Sequence, residues 1–505
     1  MRFLLASKLR AGQAFMLGLL AFVLYLGACV FPPFPWLIFL AFVPLFYTLK
    51  KTNRMAEGYR IAFIFGCAIH AIALFWITNV SWFLFGLAVL FQAFITGLLG
   101  TGIFFYKKWH QGVPFCFLVA ALWVLTEFIR ASGFWGLPAG LVGYALTPYF
   151  QLTQIASWTG IWGLSYLIIL VNALLAEAVV SQYGSGRKLK LIIFACMLVF
   201  VSYLIGTMLQ QKIPRGSFNV TVIQPNIAKE NKKGSEFWPQ NLKIYRTMTK
   251  TALSSKESDL VIWPETAVPF FLFHEARSDI LKQVRDSARS ADRPLLLGAQ
   301  DFQQDSTGPH GYNIAVLISQ QGQIMGRYAK MKLVPVLEYM PIRLLIPWVR
   351  RMGGIGVYEP GREHTLFSIG DTTFSSLICF EGLFPGVVRK FVNKGADFLI
   401  NLTNDEPSLG RMGFYYDQNA RMLRIRAIEN RRSFVRVANN GISMVIDPWG
   451  RVIRQAPAFS RVTFTCPVPI SDQRTPYLLF GDWLIWICMF GLVMGYVFPS
   501  MRKDK

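Results

Sequence analysis

Charge is scarce in this chain of 505 residues, and acidic charge scarcest: 28 aspartates and glutamates face 51 lysines and arginines. Both signs together make 16% of the residues while 53% are hydrophobic, and the apolar residues cluster into long runs, which excludes a single soluble globule. The excess of +23 would suit a nucleic-acid partner by its size. Its distribution excludes one: about half lies in one polar block and the rest in short connections between apolar runs. No Cys/His zinc spacing and no aromatic-basic repeat accompanies it.

Cysteine and histidine are equally restrictive. Of seven cysteines, Cys29, Cys67, Cys116, Cys196 and Cys488 lie in apolar runs, where a small buried hydrophobe is the simplest reading. Cys379 and Cys466 remain, too few for a disulfide framework, although one bridge between them stays open. His274, His310 and His364 lie in polar or turn contexts, so no histidine of the polar block is a strong general base.

What is present is a series of apolar runs, at roughly 11–30, 36–50, 61–78, 82–106, 113–130, 161–180, 191–209 and 482–498. Each is near the length that crosses a bilayer as a helix, the second and last being short. A cleaved signal peptide is a poor reading of the first, because further apolar runs follow it. Residues 131–160 are rich in Gly, Pro and aromatics, and an interfacial or partly inserted loop suits them better than a straight helix. Glu127 and Arg130, three apart, can pair on one helix face. With Glu177 and His70 they read as structural or interfacial groups, and the scarcity of ionisable residues in the runs argues against a transporter.

Basic clusters set the orientation. Arg2, Lys8 and Arg10; Lys50, Lys51, Arg54 and Arg60; Lys107 and Lys108; Arg187, Lys188 and Lys190; and Arg502, Lys503 and Lys505 all fall on one side if the runs make eight spans. That side is expected to be the cytoplasm. The expected domains are 1–211 with seven spans, 212–471 as an extracytoplasmic block, and 472–505 with the last span and a cytoplasmic tail. In a bacterium the block then faces the periplasm or the outside.

The block alternates strands and helices. Residues 218–224, 259–263, 294–299, 312–318, 373–378, 398–403, 433–438 and 442–446 read as strands. Helices are expected near 242–253, 276–291, 384–394 and 415–430. Asp447-Pro448-Trp449-Gly450 closes a hairpin. The late hairpins exclude a pure βαβ repeat, so a two-sheet sandwich with helices on its outer faces fits best.

Glu265 follows the strand 259–263 and Pro264, and Cys379 ends the strand 373–378, both usual places for site residues. Lys330 follows Gly326-Arg327-Tyr328-Ala329 at the end of a hairpin region. These types suffice for covalent acyl transfer: a carboxylate takes and returns the thiol proton, a thiolate attacks an acyl carbonyl, and an ammonium stabilises oxyanion and thiolate. An inert buried thiol and ordinary surface charges remain open at this level.

The block resembles a nitrilase-superfamily domain. Trp263-Pro264-Glu265-Thr266 is similar to that family's Glu motif, Arg327-Tyr328-Ala329-Lys330-Met331-Lys332-Leu333-Val334-Pro335 to its Lys motif, and Ile378-Cys379-Phe380-Glu381 to its Cys motif. With the spans on both sides, nearly the whole chain resembles the bacterial apolipoprotein N-acyltransferase family. Further similar segments are Val222 to Ile227, Asn404-Asp405, Ala420 to Glu429, Asn439-Asn440-Gly441-Ile442 and Thr475-Pro476-Tyr477.

The resemblance implies an α-β-β-α sandwich in which Glu265 is the general base and acid, Lys330 the oxyanion and thiolate stabiliser, and Cys379 the nucleophile. Lys332 is a weaker alternative for the lysine. Glu338 matches a supporting carboxylate and Glu381 an acidic residue that orders the nucleophile's surroundings. Trp238 matches a tryptophan near the substrate opening. The chain departs from the family at Val336-Leu337, where Phe-Gly is usual, and at Glu406 to Leu409, where Trp-Phe-Gly usually follows Asn-Asp.

The implied reaction moves an acyl chain from a membrane phospholipid, through a cysteine thioester, to the free α-amine of a lipoprotein's diacylglyceryl-cysteine. It implies a monomer in the inner membrane with no cofactor or metal. Met340 to Trp348 and Pro269 to Phe273 are equally suited to line a lipid opening or to pack internally. Two other readings share the sequence features: a membrane-tethered amidase acting on a small amide, and a membrane scaffold that retains the domain without activity.

Overall fold

The computed structural model describes residues 11–30, 34–79, 81–133, 136–180, 183–210, 214–228, 230–232, 235–254, 257–305, 308–335, 338, 358–405 and 414–501. The chain divides into two compact units, Met1–Gln211 with Leu479–Lys505, and Lys212–Leu478.

In the first unit, six helices among the described residues are long and apolar enough to span a bilayer. They are Gly12–Cys29, Met55–Ala73, Trp82–Tyr106, Val113–Ala131, Ile161–Val180 and Ser185–Met208. The expectation of about eight spans is therefore corrected. The last apolar run, Trp483–Phe498, is shorter. The second expected span is broken into a 3-10 turn, Pro35–Phe39, and a nine-residue helix, Val43–Lys51. Pro44 accounts for the break: it lacks an N–H, and its ring would clash with the carbonyl four residues earlier in a continuous helix.

A broken helix leaves backbone groups unpaired, which is costly away from water. Asn172 takes two of them: its Nδ2 donates to Ile38 O and its Oδ1 accepts from Phe42 N, both at 2.9 Å. Residues 131–160 are settled similarly. Their 3-10 turn, Val142–Leu146, is buried. Glu127 Oε1 accepts from Val142 N at 2.8 Å, Arg130 donates to Ala139 O and Gly140 O, and Ser165 Oγ accepts from Gly143 N at 3.0 Å. Glu127 and Arg130 themselves lie 3.6 Å apart. Glu177 pairs with Lys50 and accepts from Gly112 N, and His70 meets Thr96 Oγ1 at 3.0 Å. All four ionisable groups thus have partners within the helical unit, although Glu127 Oε2 is left without a hydrogen bond.

The second unit is built on two sheets. The first holds β1 (Gly216–Gln224), β2 (Leu260–Ile262), β3 (Val268–Phe271), β4 (Leu295–Asp305), β5 (Gly308–Ile318), β6 (Ile324–Ala329) and, at its edge, β13 (Val462–Ile470). Its order is β13-β1-β2-β4-β5-β6, with β3 beside β4. The second sheet holds β7 (Phe367–Ile369), β8 (Thr372–Ile378), β9 (Phe398–Thr403), β10 (Ser433–Ala438), β11 (Met444–Ile446) and β12 (Val452–Gln455), in the order β12-β11-β10-β9-β8-β7.

Alternation along the strands makes the layers. In β1 and β2, Phe218, Val220, Val222, Leu260 and Ile262 enter the core shared with the second sheet. Ile223 and Val261 point the other way, into a core with Leu242, Tyr245 and Met248 of the helix Trp238–Leu253. Phe218 of one sheet meets Phe398 of the other with ring centroids 5.5 Å apart, and Phe374 stacks on Phe398 at 5.2 Å. Each such buried ring contributes roughly 1.5–3 kcal/mol. Val388, Phe391 and Leu423, from the helices Pro385–Asn393 and Phe414–Asn430, belong to the core that includes the second sheet. The result is the expected mixed sandwich. Parallel neighbours β1-β2-β4 and β8-β9-β10 bring several strand ends to the same edge.

Candidate active site

Glu265 is delivered by the end of β2. Trp263, 1% exposed, anchors that end by stacking on Tyr245 at 4.6 Å and donating from Nε1 to Thr249 Oγ1 at 3.1 Å. Pro264, which cannot continue a ladder, then turns the chain. Gly298 of β4 makes room for the turn, since a Cβ there would stand 2.6 Å from the Glu265 Cα. The carboxylate is held at both oxygens: Oε1 accepts from Asn313 Nδ2 and Oε2 from Asn404 N, each at 2.9 Å.

Lys330 directly follows β6 and is 1% exposed. Its backbone N donates to Asn313 O at 2.8 Å. Its ammonium pairs with Glu338 at 2.8 Å and stands 3.9 Å from Glu265 Oε1. Asn313 Nδ2 also reaches Glu338 Oε1 at 3.2 Å, so one amide bridges the two carboxylates around the lysine.

Cys379 follows β8 and begins a 3-10 turn, Cys379–Leu383. Its φ is +52°, a left-handed conformation that costs a residue with a Cβ about 1 kcal/mol or more. The surroundings hold it there. Glu381, fully buried, accepts from Ile378 N at 2.9 Å through Oε2. Through Oε1 it accepts from Met331 N, Lys332 N and the Tyr328 hydroxyl at 2.7, 2.8 and 2.8 Å. The same carboxylate therefore ties the lysine turn to the cysteine turn. Asn401 Nδ2 donates to Cys379 O at 2.9 Å.

Burial dominates the electrostatics. It pushes the Cys379 thiol up to about 12; Glu265 adds to the rise and Lys330 opposes it. The resting sulfur is thus a protonated thiol that needs a base when it reacts. Burial also raises Glu265 above the ordinary carboxylate value, against the pull of Lys330 and with a further push from Glu338. For Lys330, burial works against the charge, but Glu338, Cys379 and Glu265 outweigh it and hold the ammonium charged.

Glu265, Lys330, Glu338 and Cys379 thus form one electrostatic cluster, and Glu381 joins the turns that carry two of them. Trp238 is not brought into it by its own contacts: its indole is buried, donates to Gln283 Oε1 at 3.2 Å and packs on Phe270. Lys332 places its ammonium over the Phe384 ring. Phe270, Phe271 and Phe273 meet Trp238, Phe302 and Arg327 within the unit. None of the seven cysteines is in a disulfide, so the alternative of a Cys379–Cys466 bridge is not realised. Met340 to Trp348 and the departures at Val336-Leu337 and Glu406 to Leu409 lie outside the described residues. Among the described residues no group of three or more His, Cys, Asp and Glu is arranged to hold a metal ion.

Sequence reasoning missed Asn313, Asn401 and Arg436. A signal existed for each: a long polar side chain within an otherwise apolar buried strand, in Asn313-Ile314-Ala315-Val316, Leu399-Ile400-Asn401-Leu402 and Phe434-Val435-Arg436-Val437.

Residues 219–474 match the family model for carbon-nitrogen hydrolases, and residues 23–174 match that for the apolipoprotein N-acyltransferase N-terminal domain. The fold, the clustered site and these matches define an enzyme of the nitrilase superfamily joined to membrane helices. Apolipoprotein N-acyltransferase from Geobacter metallireducens is 30% identical over 487 residues, covering 94% of this chain and 92% of that protein. Apolipoprotein N-acyltransferase 2 from Treponema denticola is also 30% identical, covering 88% and 89%. The chain belongs to the apolipoprotein N-acyltransferase family. It is also similar to a solved amidase from Nesterenkonia sp. AN1, with 18% identity, 55% of this chain covered, 98% of that one and a TM-score of 0.41.

Proposed function

We propose that the protein transfers an acyl chain from a membrane phospholipid to the free α-amine of the diacylglyceryl-cysteine at a lipoprotein N-terminus. The observation that carries the reading is the buried Glu265–Lys330–Cys379 cluster in a chain whose described residues also hold six membrane-length helices. In the first half-reaction Glu265 takes the Cys379 proton and Sγ attacks the ester carbonyl. Lys330 offsets the charge that develops on the carbonyl oxygen. The ester C–O bond breaks, Glu265 returns the proton to the departing lysophospholipid oxygen, and a thioester remains. In the second, the neutral amine attacks the thioester, Glu265 receives its proton, the C–S bond breaks, and the proton returns to Cys379.

A membrane-borne site suits this substrate, because diacylated lipids leave a bilayer reluctantly at about 0.8 kcal/mol per buried CH₂. Family membership favours an inner-membrane protein with the second unit on the periplasmic side, and the basic clusters agree where the broken segment Pro35–Lys51 and the shorter helix Trp483–Phe498 also cross. The division into domains at 211/212 and 471/472, and a monomeric state, belong to the same proposal. Single turnover tests the chemistry: acyl-loaded protein freed of phospholipid is mixed with a diacylglyceryl-cysteine peptide. The acyl chain should move to the peptide α-amine. Release only as free fatty acid would instead support the hydrolytic, amidase-like alternative. Labelling a cysteine introduced in 218–470 from outside spheroplasts tests the orientation; labelling from the cytoplasm alone would reject it.

A further inference from the structure

A buried polar chain runs behind the cluster and reaches both its nucleophile and its base. It centres on Arg436 of β10, a strand whose six residues are all buried. Arg436 is itself 1% exposed. Its NH1 donates to Asn401 Oδ1 at 3.1 Å, its NH2 to Asp405 Oδ2 at 2.6 Å and its Nε to Ile442 O at 3.2 Å. From there the chain divides. Asn401, 0% exposed, accepts from Arg436 at Oδ1 and donates from Nδ2 to Cys379 O at 2.9 Å. Asp405, held also by Thr403 Oγ1 at 3.1 Å, adjoins Asn404, whose N–H donates to Glu265.

Two other features fit a rigid mount. Asn439 Nδ2 donates to Asn404 Oδ1 at 3.0 Å, and Asn439 Oδ1 accepts from Ile227 N at 3.1 Å, which ties the same loop to the residues after β1. At Gly441 any Cβ would stand 1.8 Å from Asp405 Oδ2, so that loop can lie against the carboxylate only with glycine there. The Asn404-Asp405 and Asn439-Asn440-Gly441-Ile442 segments are therefore one supporting structure.

Energetics argue that such a group is kept for geometry. An arginine and an aspartate removed from water gain little net stability over well-packed apolar residues. A planar guanidinium, however, fixes three acceptors in a set fork, which an ammonium does not reproduce. The left-handed turn at Cys379 is one that persists only when its surroundings over-determine it.

We propose that Arg436 is a positioning residue for the reaction: through Asn401 and Asp405 it holds the Cys379 turn and the Asn404 N–H that orients Glu265 at one fixed separation. This deepens the reading of Cys379 as nucleophile and rests on it.

The test uses the full-length protein in detergent micelles, with Arg436→Lys and Asn401→Ala. The lysine variant keeps a cation beside Asp405 but not the fork. The alanine variant keeps Arg436 beside Asp405 and removes both bonds of Asn401, to Arg436 NH1 and to Cys379 O. Three quantities are measured: melting temperature, the rate of Cys379 alkylation by iodoacetamide at a fixed pH well below melting, and kcat and KM for acyl transfer. In folded variants we expect alkylation and kcat each to fall at least tenfold, with KM within twofold of the parent and Arg436→Lys the milder of the two. If Asn401→Ala melts like the parent and keeps alkylation and kcat within twofold, the proposal is overturned. If Arg436→Lys does not fold, Asn401→Ala decides alone. If neither folds, at temperatures where other single core substitutions do, the groups serve stability and the positioning claim is overturned. The alkylation rate needs no lipid, so failure of the lipid reaction in the parent protein would reject the proposed function without moving this readout.

Discussion

Lys330 pairs more closely with Glu338 than with Glu265: its ammonium lies 2.8 Å from the first carboxylate and 3.9 Å from the second. Glu338 accepts a hydrogen bond directly from the lysine, while Glu265 is held by Asn313 and Asn404 instead. Replacing Lys330 by Met leaves the buried Glu265 and the half-buried Glu338 bridged by Asn313 without that cation beside them, which favours protonating one of the two. Acylation of Cys379 should fall about 10²–10³-fold, the usual cost of losing one oxyanion donor. Arginine should not rescue it, since a planar fork does not fit where a point charge sits. Burst kinetics on the Lys330→Met and Lys330→Arg proteins check both statements.

The pH dependence of acylation follows from Glu265. Only its carboxylate form accepts the thiol proton, so the rate is lost as pH falls through its folded pKa and is present above it. Burial sets that pKa above the ordinary carboxylate value, and Glu338 raises it further. The acidic limb should therefore lie above the ~4.3 of a free glutamate, and Glu338→Gln should move it to lower pH. A pH–rate profile of acylation for the parent and Glu338→Gln reads this directly.

The positive φ at Cys379 makes a prediction about stability that is independent of chemistry. Glycine adopts that conformation without the steric cost that alanine bears. Cys379→Gly and Cys379→Ala should both be inactive. The glycine variant should nevertheless be the more stable, or equal after its greater unfolded-state entropy, by up to about 1 kcal/mol. Denaturant titration of the two variants is the measurement, and an alanine variant more stable by that amount would contradict the strain.

Glu381 accepts three backbone N–H groups and a phenol. An amide in its place turns donor against donor on one side. Leaving one buried donor unmade costs about 1–3 kcal/mol, so Glu381→Gln should lower stability by at least that and disturb both turns together. Loss of Cys379 reactivity in parallel with stability is expected. A fully stable but inactive variant would point to direct chemistry instead.

In the helical unit, Asn172→Leu removes partners from Ile38 O and Phe42 N at the broken segment. The expected loss is about 0.6–2 kcal/mol, measured as a lower melting temperature in detergent, with Cys379 alkylation unchanged.

Much of this site is legible in the residues. Strands such as 398–403 and 433–438 announce themselves through β-branched and aromatic runs, and Glu265 and Cys379 stand where such runs stop. Lys330 follows a hairpin for the same reason. What is not legible is long-range. Nothing local in Asn313 says that it will bridge Glu265 and Glu338, 48 and 25 positions away. Nothing local in Arg436 says that it will reach Asn401 and Asp405 across a parallel strand pair. In the helical unit, hydropathy averages over Pro44 and so hides the break that Asn172 repairs. It also misses that residues 141–146 are buried, because Gly143 and Tyr144 are as suited to an interface as to a packed turn.

The central claim is that Cys379 carries the acyl chain. Intact-mass analysis of the purified protein incubated with a phospholipid of defined acyl chains tests it most directly, with Cys379→Ala as the control. The account predicts a mass increase equal to one acyl group, mapped to Cys379, reversed by hydroxylamine and absent from the alanine variant. An unmodified Cys379, under conditions in which the same preparation acylates a diacylglyceryl-cysteine peptide, would contradict it.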